Sequence, residues 1–188
     1  MSDTVLVPPA HTVPTVFTRA QLDWLPWLEP LAADAMTERH LAGLVDAARV
    51  KSPYFRLLAR DPDALEARTR TDKDIFYNPD AGLPRAEREL AAAATSRFNG
   101  CLYCASVHAR HAATYSRREA DVQRLLDAGI TADLGEPWNA IVAAAVALTA
   151  TPSAFGPAHV DRLRHAGLDD LAIADVSTPR PSSTGPTA

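Results

Sequence analysis

The chain has 188 residues, of which 47% are hydrophobic and 6% aromatic, and its formal net charge is −4 at pH 7. This length allows one domain with a buried core and an appendage, and the abundant alanine favours packed helices over a β-sandwich. The negative charge and the lack of recognition motifs argue against nucleic acid as a partner, and no apolar run is long enough to span a membrane.

The first part of the chain is interrupted by prolines. Residues 1–18 are predicted to be an extended arm. A helix is predicted from Thr18, because the leucines at 22, 25, 28 and 31 form an apolar stripe that Pro26 and Pro30 interrupt. The next helix is predicted to begin at Thr37 and to turn three side chains inward, namely Leu41, Leu44 and Val45.

Residues 53–76 are predicted to be helical with a break near Asp61 and Pro62. The stretch 78–82 is dense in turn-forming residues and is the best internal boundary. It divides an N-terminal helical segment, 19–80, from a core, 81–176. The core is predicted to contain helices at 84–97, 101–115, 116–126, 136–148, 157–165 and 168–176. Because no run alternates polar and apolar residues for long enough to form a strand, the predicted fold class is all-α.

The tail, 177–188, is rich in serine, threonine and proline and is predicted to be disordered. The apolar stretch just before it is typical of a helix that is beginning. One choice of codons for the tail encodes an amphipathic helix when translated from two nucleotides later. We therefore hypothesise a frameshift that removed a final helix, which resequencing the gene would test.

The two cysteines of the chain, Cys101 and Cys104, lie three residues apart after Asn99-Gly100, where a loop is predicted to become a helix. Two thiols in this position can form a disulfide with little backbone movement, and the helix dipole favours their thiolates. Residues 1–16 lack the features of a secretory signal, which predicts a cytoplasmic protein. In a reducing compartment such a pair is expected to be catalytic or to bind a metal.

Three further side chains are grouped with the cysteines by helical spacing. His108 and His111 lie on the same predicted helix face as Cys101 and Cys104. Glu89 lies among small residues on the preceding helix, so a hairpin across Asn99-Gly100 would bring it near the cysteine turn. A peroxide-reducing cysteine needs a thiolate, a second thiol to trap its sulfenic acid, and an acid–base relay, and these residues are of the required types.

The spacing of Glu89, eleven residues, Cys101-x-x-Cys104, three residues and His108 resembles the signature of the carboxymuconolactone decarboxylase superfamily. It resembles in particular the alkylhydroperoxidase AhpD-like branch, which retains the cysteine pair, and its peroxidase-related members. The resemblance is strongest over residues 84–115. It implies an all-helical bundle in which a helical hairpin holds the Cys-x-x-Cys motif, and homo-oligomers.

The resemblance also implies a thiol-dependent peroxidase that reduces a hydroperoxide substrate with electrons from an external dithiol reductant. By it Cys104 is the peroxidatic cysteine, Cys101 resolves it, and Glu89 with His108 relays protons. His111 and Tyr103 are auxiliary candidates, and Tyr103 departs from AhpD, which has a histidine there. No haem, flavin or nucleotide motif is present, so no cofactor is expected.

Other interpretations of the cysteine pair remain open. The cysteines can be structural, or they can bind zinc with His108 and either His111 or Glu89, although a second Cys-x-x-Cys is missing. The leading expectation is that the protein binds no metal ion. The alternative function is a non-peroxidatic dithiol redox sensor, or an oligomeric binding protein of the same fold. Loss of a final helix would instead predict a decayed protein that fails to assemble.

Overall fold

The computed structural model describes residues 14–80 and 82–177, which form α-helices and short 3-10 turns, so the all-α prediction is confirmed. The chain divides into two compact units. The first contains Asp23–Tyr77. The second contains Pro14–Leu22 and the described part of Asn78–Ala188.

The first unit contains three α-helices: α1 (Glu38–Gly43), α2 (Pro53–Leu58) and α3 (Pro62–Tyr77). As predicted, Thr37 begins α1, where its side chain accepts a hydrogen bond from the His40 backbone N–H. The break before Pro62 also lies where it was predicted. The core of this unit is small and consists of Leu44, Ala59 and Leu65, with partly buried hydrophobic side chains around them.

The prediction of a helix from Thr18 is wrong, since residues 18–32 contain no helix. Pro26 and Pro30 lack the N–H groups that a helix would need. The backbone of Leu31 instead bonds to Arg56, donating to the Arg56 carbonyl at 3.3 Å and accepting from the Arg56 side chain at 2.8 Å. Leu41, predicted to face inward, is 44% exposed, whereas Leu44 is fully buried.

The second unit contains six described helices in the predicted order. They are α4 (Arg85–Phe98), α5 (Leu102–Ser116), α6 (Glu119–Ala128), α7 (Trp138–Thr149), α8 (Pro157–His165) and α9 (Asp170–Ser177). The expectation that the apolar run 136–148 forms a buried helix is confirmed by α7. Of the predicted tail, Ser177 ends α9 and the rest lies outside the described residues. Residues 1–13 of the predicted arm also lie outside them, while Phe17 packs under the Arg97 guanidinium at 4.1 Å.

Helix α4 lies at the centre of this unit and packs against α5, α6, α7 and α9. Every residue from Arg88 to Ser96 is buried. The facing surfaces of α4 and α5 are rich in alanine, which lets the two helices approach closely. A polar side chain on this part of α4 is therefore enclosed by other helices, and Glu89 is such a side chain.

Candidate active site

The hairpin that joins α4 to α5 closes with a helix-ending motif. Asn99 is the C-cap of α4, Gly100 has φ of +79°, and the Cys101 N–H donates to the Ser96 carbonyl at 3.0 Å. This pairing is the longer bond of a Schellman motif, which requires a left-handed residue where Gly100 stands. The turn thus places Cys101 directly at the start of the next helix.

Cys101 and Cys104 form a disulfide, with their Cα atoms 5.4 Å apart. Cys101 is the N-cap of α5, and its Sγ accepts a hydrogen bond from the Cys104 backbone N–H at 3.2 Å. Both sulfurs therefore lie in the first turn of α5, where unpaired backbone N–H groups and the helix dipole stabilise negative charge on a thiol. The geometry expected from the three-residue spacing is present.

The two cysteines differ in exposure. Cys104 is completely buried, while Cys101 remains partly exposed. In the disulfide form, Cys101 therefore has surface open to solvent, whereas Cys104 has none. This asymmetry gives the two thiols different tasks in any exchange reaction.

Glu89 is 1% exposed and accepts hydrogen bonds on both carboxylate oxygens. His108 Nδ1 lies 2.7 Å from Oε2, and Arg85 donates to Oε1 from Nε at 2.8 Å. The hairpin thus joins Glu89 on α4 to His108 on α5, as the sequence predicts, and His108 is itself 7% exposed. The cysteine-bearing helix and the carboxylate helix are linked through this pair.

The pKa of Glu89 reflects two opposing effects. Burial raises it, but the hydrogen bonds and positive charge from His108 and Arg85 outweigh burial and leave the pKa below its ordinary value of 4.5. Glu89 is therefore a carboxylate at neutral pH and can only accept hydrogen bonds. It follows that the proton between the two groups is on Nδ1 of His108, and in the neutral ring Nε2 is the basic nitrogen.

The auxiliary candidates lie at the edge of this arrangement. His111 is partly buried and stacks on Tyr115 with the ring centres 6.1 Å apart. Burial lowers the pKa of His111, the negative charge of Glu89 opposes this, and neighbouring cations add to the lowering. Tyr103 is also partly buried, and its backbone carbonyl accepts a hydrogen bond from the Ser106 hydroxyl at 2.8 Å.

Sequence reasoning missed Arg85, which the pattern indicated only as part of a helix start. Its side chain is 16% exposed and pairs with Glu89 one turn further along α4. The available signal was the i, i+4 spacing of an arginine and a glutamate on a predicted helix. That signal is common on solvated surfaces, and only the burial of Glu89 distinguishes this pair.

A cavity of about 490 Å³ lies within the first unit and is lined by residues 29–32, 56 and 60. Arg56 and Arg60 donate to backbone carbonyls there, and none of the candidate residues contributes to it.

Within residues 14–80 and 82–177, no group of three or more His, Cys, Asp or Glu side chains is arranged to hold a metal ion. In the same ranges, no helix is both long and apolar enough to cross a bilayer.

Comparison with known proteins supports the resemblance. The model of the carboxymuconolactone decarboxylase family matches residues 62–147. A solved structure described as the alkylhydroperoxidase AhpD core, an uncharacterized peroxidase-related protein from Ralstonia eutropha JMP134, is 22% identical, with a TM-score of 0.66 and 78% of each chain covered. No curated protein matches the chain. Residues 62–147 thus match the carboxymuconolactone decarboxylase family, and the chain has the AhpD-like helical fold.

Proposed function

We propose that the protein is a thiol-dependent peroxidase that reduces hydroperoxides and cycles through the Cys101–Cys104 disulfide. The observation that carries this proposal is the Cys101–Cys104 disulfide in the first turn of α5, the helix that also holds His108 in a hydrogen bond to the buried Glu89 carboxylate. Those are the parts that a two-cysteine peroxide reductase requires.

In the first step the Cys104 thiolate attacks the outer oxygen of the hydroperoxide. The O–O bond breaks, Cys104 becomes a sulfenic acid, and the departing alkoxide takes a proton and leaves as an alcohol. His108 accepts the thiol proton through Nε2 and returns it to the alkoxide, while Glu89 stabilises the imidazolium that forms in between. The helix N-terminus stabilises the thiolate.

In the second step the Cys101 sulfur attacks the Cys104 sulfenic sulfur and forms the disulfide, and the proton of the Cys101 thiol passes to the departing hydroxide, which leaves as water. An external dithiol then attacks the disulfide and becomes a disulfide itself, so two electrons and two protons pass to the hydroperoxide in each cycle. The exposure of Cys101 favours attack by the reductant at that sulfur, which makes Cys104 the leaving thiolate. The same proposal includes a homo-oligomer, which size-exclusion chromatography with light scattering would test.

The test is hydroperoxide consumption coupled to a dithiol such as dihydrolipoamide, with peroxide-dependent mass spectrometry of both cysteines. Cys104→Ser is expected to abolish consumption. Cys101→Ser is expected to stop turnover but to leave a sulfenic acid on Cys104 that dimedone traps. Full turnover by Cys104→Ser would refute the assignment.

A second candidate is a dithiol redox protein that exchanges disulfides with partners without reducing peroxide. The complete burial of Cys104 and the phenol at Tyr103 favour it, since a tyrosine pKa near 10 makes a poor relay at neutral pH. A low thiolate pKa and rapid disulfide exchange, with no consumption of hydrogen peroxide or cumene hydroperoxide, would select this candidate.

A further inference from the structure

Arg85 binds the oxygen of the Glu89 carboxylate that His108 does not contact. Its Nε and Nη2 atoms both lie 2.8 Å from Glu89 Oε1, while Oε2 is left to His108. The Glu89 side chain is only 2% exposed, so water does little to hold its orientation or its charge. A buried carboxylate needs such partners, because desolvation alone would favour its neutral form.

Arg85 is itself fixed from the other side. Its guanidinium carbon lies 4.8 Å from the centre of the Tyr115 ring, and Tyr115 in turn stacks on His111. A guanidinium is planar, stays charged at all relevant pH values, and can bond in its plane while an aromatic ring covers its face. The side chain therefore has one preferred placement between Glu89 and Tyr115.

We propose that Arg85 is a positioning residue for the proton relay: it holds Glu89 so that Oε2 fixes His108 in the tautomer that has its proton on Nδ1. The effect of this positioning on turnover rests on the proposed peroxidase function. With Arg85 in place, Glu89 stays a carboxylate while His108 gains and loses a proton. The proton taken from Cys104 then remains on the imidazole, from which it can be returned to the alkoxide.

The surroundings make Arg85 the main charge, besides His108, that acts on Glu89. Helix α7, which packs along α4, has no ionisable side chain. On α9, Asp175 pairs with Arg88. On α6, the ionisable groups include Asp121, which pairs with arginines close to it in the sequence. On α5 the other titratable groups are His111 and Arg110, which lie beyond His108 along the helix, and Tyr103 and Tyr115. Loss of Arg85 would thus leave the burial of Glu89 opposed by His108 alone.

The test is NMR of the reduced full-length protein with ¹³C-labelled glutamate and ¹⁵N-labelled histidine. Arg85→Met removes the charge and keeps an apolar chain over Tyr115, and Arg85→Gln retains a neutral hydrogen-bond donor. Arg164→Met is the matched control, because Arg164 is an exposed arginine that pairs with Asp170 at 3.1 Å. If Arg85→Met does not fold, Arg85→Gln gives the same measurements.

In the wild type and the control, we expect a single Nδ1–H tautomer of His108 and a Glu89 carboxyl that titrates below its ordinary pKa. In both Arg85 variants the Glu89 titration is expected to shift to higher pH, and the His108 signals to become those of mixed tautomers. The rate of Cys104 oxidation is expected to fall about tenfold, a part of what general acid–base catalysis supplies. Wild-type titration and tautomer in both variants would overturn the proposal. Because these signals do not depend on turnover, failure of the peroxidase assignment would be seen separately, as a wild type that consumes no hydroperoxide.

Discussion

The Nδ1 atom of His108 lies 2.7 Å from Oε2 of Glu89, which joins two helices across 19 residues of chain. Both side chains are at least nine-tenths buried. A buried ion or hydrogen-bonded pair of this kind adds little to stability compared with apolar packing, because desolvation offsets most of the attraction. Its presence next to the cysteine turn is easier to explain by proton transfer than by folding.

Glu89→Gln is expected to keep the hydrogen bond to Nδ1 but to lose the charge that stabilises the imidazolium. The rate of Cys104 oxidation by hydroperoxide should fall by about 10²-fold, the lower end of general acid–base effects. Stopped-flow measurement of thiol oxidation in the reduced protein would determine it. Glu119→Gln is the control, because Glu119 is a surface carboxylate that pairs with Arg19. An unchanged rate in Glu89→Gln would remove Glu89 from the relay, even if Cys104→Ser were inactive.

The lowered pKa of Glu89 also predicts a pH dependence of stability. Because the pKa is lower in the folded protein than in the unfolded chain, the stabilisation is complete above about 4.5 and is lost as the pH falls through the folded pKa. The wild type should therefore lose more free energy of unfolding than Glu89→Gln does between about pH 6 and pH 3. Urea unfolding followed by circular dichroism at both pH values measures the difference. Equal losses in the two proteins would show that Glu89 has no depressed pKa.

The sequence predicts the cysteine hairpin well because each of its signals is local. The Asn99-Gly100 break, the helix start after Pro84 and the buried run of α7 are specified by neighbouring residues, and each lies where it was expected. The helix expected from Thr18 fails because Pro26 and Pro30 remove backbone donors and because the backbone of Leu31 pairs with Arg56 instead.

The burial of the site residues could not be obtained from spacing alone. Cys101 and Cys104 lie only three residues apart in the sequence, yet in the packed unit Cys104 is buried and Cys101 is partly exposed. Likewise an i, i+4 arginine–glutamate pair is usually a solvated one. Arg85 becomes important only because α4 is enclosed by other helices, which is a property of the whole unit.

The turn that presents the cysteines can be tested at Gly100. Its positive φ is strained for any residue with a Cβ, so Gly100→Ala is expected to lower the free energy of unfolding by about 1 kcal/mol. Gly100→Asn is the comparison variant, because asparagine adopts the left-handed conformation more readily than alanine does and should therefore lose less stability. Chemical unfolding of both variants under oxidising conditions makes the comparison. Equal losses in the two variants would argue against the left-handed conformation at Gly100.

The N-cap role of Cys101 predicts how the resolving cysteine should be replaced. Its Sγ accepts from the Cys104 N–H, and a serine oxygen is a better acceptor in that position than sulfur, whereas alanine offers none. In the presence of a reductant, Cys101→Ser should be more stable than Cys101→Ala by about 1 kcal/mol, as urea unfolding would measure. Neither variant can form the disulfide, so the difference isolates the cap. Identical stabilities would mean that α5 begins without help from this side chain. If the difference is found, Cys101→Ser is the variant in which a Cys104 sulfenic acid can be trapped with the start of α5 intact.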